Sequence, residues 1–224
     1  MDLKNLILYI TFLSLYFITG IVHLLLCYFD LKLARKISKP FILFFLFLAT
    51  FFYVRNNILI SIACLMSCIG DTLMIYKKYK PVFLLAGACF ITEHVLNIAS
   101  MVKLLPYSVP YWVYIIIALI DIVFIVSIFF ISKRNVVIFL TSGFLSFHIM
   151  CIGFSFTLIE RHYYLYGSLI FIGYLFYFLS DYMIYYFLYV KPNKRNHFYV
   201  MLTYLIAQSL IILSLTYGSI NILG

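Results

Sequence analysis

Two aspartates lie inside long apolar runs, where an ionised side chain is costly. Asp71 lies within residues 58–76, and Asp181 lies within residues 163–190. A carboxylate at bilayer depth must be paired, hydrated or protonated, so it indicates a functional site. Two carboxylates in different surroundings can divide the work of an acid and an anion, because one site favours the protonated form and the other the ionised form. Asp71 and Asp181 are therefore the first candidates for proton-transfer chemistry.

The composition indicates a membrane protein of many spans. The 224 residues are 66% hydrophobic and only 10% charged, which is outside the range of soluble domains. We therefore predict an all-α membrane helix bundle that forms a single transmembrane domain over residues 1–224. The five cysteines all lie in apolar runs without a CxxC motif, which is typical of buried thiols; they are Cys27, Cys64, Cys68, Cys89 and Cys151.

The apolar runs divide the chain into eight predicted helices. These are residues 6–27, 41–54, 58–76, 82–102, 107–131, 136–158, 163–190 and 198–222. The second is short for a hydrocarbon core of ~30 Å, so it must be tilted, extended by its flanks or only partly spanning.

The positive charges predict the orientation. Twelve of the 16 Lys and Arg residues fall in the first, third, fifth and seventh linkers, namely Lys32, Arg35, Lys36, Lys39, Lys77, Lys78, Lys80, Lys133, Arg134, Lys191, Lys194 and Arg195. The opposite side holds Lys4, Arg55, Lys103 and Arg161. The positive-inside rule then places both termini outside or in a lumen, with the odd linkers in the cytosol and touching anionic lipid. The net charge of +9 is thus explained without a nucleic-acid partner.

Polar residues from six helices fall at similar depths. Measured from the cytosolic helix ends at ~1.5 Å per residue, the depths are ~8 Å for Asp71, ~14 Å for Asp181, ~15 Å for Asp121 and Gln208, and ~18 Å for His148 and His94. The sequence therefore predicts one polar slab in the cytosolic half.

Helical spacing places these residues on shared faces, because residues three, four or seven apart lie on one stripe. The stripes are Cys64, Ser67 and Asp71 on the third helix, Gly87, Phe90, His94 and Asn97 on the fourth, Gly173, Tyr177 and Asp181 on the seventh, and Tyr204 and Gln208 on the eighth. Gly70, Gly87 and Gly173 favour close helix approach around a shared cavity.

Structural roles compete with each assignment. A lone intramembrane histidine is typically a packing residue, and we expect this of His148 more than of His94. Asp121 could cap or pair with a neighbouring helix, and Glu93 suits a structural or interfacial role. Asp71 and Asp181 could also form a hydrogen-bonded clamp between the third and seventh helices.

Five short motifs in order resemble the YhhN-like lysoplasmalogenase family. They are Lys39-Pro40, Ser67-Cys-Ile-Gly-Asp71-Thr-Leu, Gly87-x-x-Phe90-x-x-x-His94, Gly173 followed by Ser180-Asp181, and Tyr204-x-x-Ala207-Gln208-x-Leu210-Ile211. The resemblance covers residues 39–211 and implies eight spans. The chain differs from the family pattern at Asn97, where the family often has Tyr, and at Glu93, where it typically has a small residue.

The resemblance implies hydrolysis of the vinyl ether bond of a lysophospholipid, with the bilayer and this lipid as partners and without a cofactor. Asp71 and Asp181 would act as the acid and anion pair, and His94 would orient water or relay a proton. Gln208 and Tyr204 would hold the ether oxygen or position a carboxylate, and Lys39 is a candidate for the lipid phosphate. The remaining predicted substrate-binding residues are Ser67, Asn97, Tyr177 and Ser180.

Two other functions use the same residues. Asp71, His94, His148 and Asp181 could bind a zinc ion that activates water for amide or ester hydrolysis, although no HExxH motif is present. Buried Asp and His residues also suit a proton-coupled transporter, but the sequence shows no internal repeat. The sequence does not indicate which oligomeric state the protein adopts.

Overall fold

The computed structural model describes residues 3–54, 56–76, 78–105, 111–131, 136–161, 163–189 and 195–223. These residues form eight helices and, within these ranges, no strand. The helices are α1 (Leu3–Tyr28), α2 (Lys32–Tyr53), α3 (Ile58–Met74), α4 (Lys80–Leu104), α5 (Tyr111–Ile131), α6 (Val136–Glu160), α7 (Tyr164–Tyr189) and α8 (Asn196–Leu223). The prediction of an all-α protein with eight helices is confirmed.

Most of these helices can cross a bilayer. In the described part of the chain, α1, α2, α4, α7 and α8 contain apolar stretches long enough to span, and three shorter apolar stretches lie in α3, α5 and α6. Many large apolar side chains of α1 and α5 are exposed, as expected for surfaces that face lipid. The chain is therefore compatible with a multi-pass integral membrane protein.

Helix α2 is longer than the sequence predicted. It begins at Lys32 instead of residue 41 and continues for 22 residues through Pro40. Proline has no N–H, so its ring removes one backbone hydrogen bond, but the helix continues on both sides of it. Extension by the flank thus resolves the short predicted span, and Lys39 lies inside the helix and not in a linker.

The turn between α1 and α2 has a recognisable form. The N–H of Leu31 donates to the carbonyl of Leu26 at 3.0 Å, and the N–H of Asp30 donates to the carbonyl of Cys27 at 3.3 Å. Asp30 adopts a φ of 54°, so this is a Schellman motif with aspartate at the position where glycine is most common. Asp30 also pairs with Arg35 of α2 at 3.1 Å, which joins the two helices at this end.

The helices form two compact units. The first unit comprises residues 1–100 and 215–224, and the second comprises residues 101–214. In the first unit α1 packs on α2 and α2 packs on α3, whereas in the second α5 packs on α6 and α6 packs on α7.

Six of the cations used to predict the orientation lie outside the described residues, namely Arg55, Lys77, Lys133, Arg134, Lys191 and Lys194.

Candidate functional site

In the first unit, Asp71 is paired with a lysine. The ammonium Nζ of Lys39 on α2 lies 2.9 Å from Oδ1 of Asp71 on α3. The Asp71 side chain is only 7% exposed and that of Lys39 is 22% exposed, so the charges compensate each other in a largely buried place. The thiol of Cys68 donates to the carbonyl oxygen of Pro40 at 3.4 Å. Two polar contacts therefore hold α2 and α3 together at the level of Asp71.

The polar residues predicted on α4 are also buried in this unit. Glu93, His94 and Asn97 are each no more than 1% exposed. Phe90, on the same face of α4, packs its ring on Gly70 of α3, where an added Cβ would lie 3.0 Å from the ring. Gly70 thus permits the close approach that the sequence predicted. Burial of Glu93 argues against an interfacial position for its carboxylate.

In the second unit, Asp181 is close to a histidine. Nε2 of His148 on α6 lies 3.5 Å from Oδ2 of Asp181 on α7. The histidine side chain is fully buried, whereas the aspartate side chain is 28% exposed. A histidine can gain or lose a proton near neutral pH, so this pair can hold an exchangeable proton.

An aromatic and amide cluster surrounds this pair. The ring of Tyr177 contacts the ring of His148 edge to face at a centroid distance of 4.8 Å, and it contacts Tyr204 of α8 at 5.4 Å. Nε2 of Gln208 donates to the hydroxyls of Tyr177 and Tyr204, both at 3.5 Å. These contacts link residues of α6, α7 and α8 into one polar cluster inside an apolar unit.

Two further contacts set the spacing of α7 and α8. A Cβ built on Gly173 would lie 2.7 Å from Cγ1 of Ile211 and 3.2 Å from the carbonyl oxygen of Ala207. Only glycine fits there, which confirms the predicted close approach. The hydroxyl of Ser180 donates to the carbonyl of Val200 at 3.1 Å. Ser180 therefore joins the two helices, in addition to its predicted role in substrate binding.

The structure thus divides the predicted site residues between the two units. Asp71, His94, Lys39, Ser67 and Asn97 belong to the first unit. The second unit holds Asp181, His148, Tyr177, Ser180, Tyr204 and Gln208. The pairing of Asp71 with Asp181 stays a prediction, and each carboxylate has a basic partner within its own unit. The side chain of Asp121 lies outside the described part of α5.

The sequence analysis did not predict two side-chain pairs, Lys39 with Asp71 and His148 with Asp181. Lys39 was assigned to the lipid phosphate and not to Asp71, and His148 was favoured as a packing residue and not as the neighbour of Asp181. The similar depths of His148 (~18 Å) and Asp181 (~14 Å) on consecutive helices were the available signal.

Among the described residues, no group of three or more His, Cys, Asp or Glu side chains could hold a metal ion. The zinc interpretation therefore gains no ligand set from this part of the chain.

Comparison with known proteins gives one match. A model of the YhhN family matches residues 34–215, which is most of the 224-residue chain. No curated protein matches the chain, and no solved structure matches it. The matched range contains all five sequence motifs and every candidate site residue.

Proposed function

Since the chain belongs to the YhhN family, we propose that it is a membrane-embedded hydrolase that cleaves the vinyl ether bond of lysoplasmalogens. The products would be a fatty aldehyde and a glycerophospho-base. The observation that carries the proposal is the presence of two aspartates inside apolar helices, the buried Asp71 and the partly exposed Asp181, that have basic partners of different kinds. Intramembrane carboxylates are costly, and such residues typically perform the chemistry of a membrane protein.

Vinyl ether hydrolysis needs an acid and an anion. A proton adds to the alkenyl carbon that is β to the ether oxygen, which generates an oxocarbenium ion. Water adds to the cationic carbon and loses a proton, and the resulting hemiacetal breaks its carbon–oxygen bond to give the aldehyde and the alcohol. A carboxylate beside the cation lowers the barrier in the way that carboxylates do in glycoside hydrolysis.

The basic partners suggest how the two carboxylates divide this work. Lys39 is a fixed cation that balances a negative charge on Asp71, which suits Asp71 to face the oxocarbenium ion. His148 can carry a proton, so the Asp181–His148 pair suits the role of proton donor to the alkenyl carbon. Gln208 and the two tyrosines beside this pair would hold the ether oxygen, and His94 would orient the water.

The decisive test compares lysophospholipids that differ only in how the hydrocarbon chain is linked to the first glycerol carbon. Purified protein in detergent should release aldehyde from the alkenyl form and should leave the alkyl form intact. Conversion in detergent without a gradient also separates an enzyme from a transporter. Aldehyde-free ester hydrolysis with stoichiometric zinc would support the zinc amidase or esterase instead.

Amide variants test the two aspartates. Asp71→Asn and Asp181→Asn should each lower turnover by ~100-fold or more, the usual loss when a general acid is removed. Asp181→Asn should fold normally, since an amide is cheaper in the bilayer than a carboxylate. Asp71→Asn leaves Lys39 without its charged partner, so its thermal unfolding is measured together with its turnover. The matched control is Asp30→Asn in the α1–α2 turn, which should retain turnover. A well-folded Asp181→Asn variant with normal turnover would remove that residue from the mechanism.

A further inference from the structure

A buried polar stripe follows one face of α3. It begins at Asn57, which precedes the first turn, and ends at Asp71, and its members recur every three or four residues: Asn57, Ser61, Cys64, Ser67 and Asp71. All five are at most 5% exposed. At ~1.5 Å per residue the stripe extends for ~21 Å, most of the thickness of a hydrocarbon core.

The buried face of α4 carries a second polar series. Glu93, Asn97 and Ser100 are each no more than 1% exposed. Phe90 of α4 contacts Gly70 of α3, and both helices lead away from one short linker. From this contact Asn97 lies ~10 Å along α4 and Ser61 lies ~13 Å along α3. Ser61 and Asn97 therefore lie at nearly the same depth within the first unit.

Several polar atoms of these two series lack a partner within the described chain. They are Oγ of Ser61, Oδ1 of Asn57 and both side-chain amide atoms of Asn97, and all three residues are 0% exposed. A buried polar atom without a hydrogen bond destabilises the folded protein. Where the protein supplies no partner, ordered water can bond to such atoms, and a buried water molecule needs several polar partners in one place.

We propose that the α3 stripe binds a file of water molecules that leads from Asn57 past Ser61 and Asn97 to Asp71. Asn57 is buried at the start of α3, directly after the exposed Asn56, so the file would begin at this end of the helix. The buried carboxylate of Glu93 on α4 would add an acceptor. The file would supply the water that adds to the oxocarbenium ion. This catalytic role rests on the proposed vinyl ether hydrolysis, whereas the presence of the water does not.

Cys64 is a built-in probe, because its thiol lies in the middle of the stripe. Infrared spectra in D2O follow the exchange of S–H for S–D, and subtracting the spectrum of Cys64→Ala from that of the unmodified protein isolates this thiol. Cys151 on α6 is an equally buried thiol that lies outside the stripe, and Cys151→Ala isolates it in the same way. We expect Cys64 to exchange at least ~10-fold faster than Cys151. Equal rates would overturn the water file.

Apolar substitutions should interrupt the file. Ser61→Leu should slow the exchange of Cys64 and leave that of Cys151 unchanged, and Asn97→Leu provides a second variant of nearly unchanged size. If lysoplasmalogen is cleaved, both variants should lower kcat more than they raise KM. Slower exchange with normal kcat would overturn the catalytic role alone. Absence of cleavage in the unmodified protein would overturn the proposed function but not the exchange result.

Discussion

At the scale of single residues, the Lys39–Asp71 pair joins α2 to α3 and contains a carboxylate that the proposed mechanism uses. Removing one partner of a buried ion pair leaves an uncompensated charge, whereas removing both is often nearly neutral for stability. The pair therefore offers a way to separate folding from catalysis at the same position. This separation matters because an inactive Asp71 variant alone does not distinguish a catalytic carboxylate from a helix clamp.

We predict that Lys39→Met lowers the free energy of unfolding by ~2 kcal/mol, because the Asp71 carboxylate then loses its charged partner. The double variant Lys39→Met/Asp71→Asn should recover most of this stability but should show no vinyl ether cleavage. Thermal unfolding and aldehyde release on the same preparations test both statements. If the double variant recovered activity together with stability, Asp71 would be a structural residue.

The two intramembrane histidines give a second prediction. The sequence favoured His94 over His148 as the functional residue, but His148 lies 3.5 Å from Asp181. We expect His148→Gln, which keeps a hydrogen-bond donor but cannot carry a proton, to lower kcat by ~100-fold with little change in KM. The control is Thr203→Val, which should remain active. Among the residues that the structure describes, the Thr203 hydroxyl donates only to backbone carbonyls of its own helix, those of Tyr199 and Val200. A fully active His148→Gln variant would restore the packing interpretation.

At the scale of helices, hydrophobic runs predicted nearly all of the fold. Seven of the eight helices match the predicted runs to within a few residues, because a helix that spans the bilayer needs a long, predominantly apolar segment. Helix α2 differed, since its first two turns contain Lys32, Arg35, Lys36 and Lys39, which lower the local hydropathy. Pro40 strengthened the false boundary, although the helix tolerates the loss of one hydrogen bond.

The close approach of α7 and α8 at Gly173 leads to a prediction about helix packing. Alanine normally stabilises a helix relative to glycine by ~1 kcal/mol. At Gly173 its Cβ would instead meet backbone atoms of α8, the carbonyl oxygen of Ala207 and the nitrogen of Ile211, both at 3.2 Å. We expect Gly173→Ala to cost ~1–3 kcal/mol, as overpacking does, and to lower turnover by moving Tyr177 relative to Gln208.

The matched control for this prediction is Gly70→Ala on α3. Its Cβ would meet only the far edge of the Phe90 ring at 3.0 Å, and a side-chain ring can rotate away. Thermal unfolding should therefore show a small change for Gly70→Ala and a clear loss for Gly173→Ala. Equal melting temperatures for the two variants would mean that α7 and α8 separate easily.

At the scale of the whole molecule, the sequence identified the polar residues inside the apolar helices better than it predicted their partners. Asp71, Asp181 and Gln208 stood out because polar residues are rare in apolar runs. Their partners depend on helix rotation and on which helices pack together, and a stripe of residues on one helix does not specify these. The assignment of Lys39 shows this limit, because a cation near a helix end is equally typical of a topology signal and of an ion pair.

The orientation in the membrane is the last prediction, and it concerns the whole chain. The twelve-to-four distribution of Lys and Arg places both termini outside or in a lumen. It also places Lys78 and the basic start of α2 on the cytosolic side, with the Asn57 end of α3 on the other side.

Single cysteines at Lys78 and at Asn56, in a background without the native thiols, should therefore react with a membrane-impermeant reagent from opposite sides. Tags at both termini should be cleaved by protease added on the side where the Asn56 position reacts. Labelling of Lys78 from the same side as the termini would overturn the orientation, and with it the depth estimates that grouped Asp71 with Asp181.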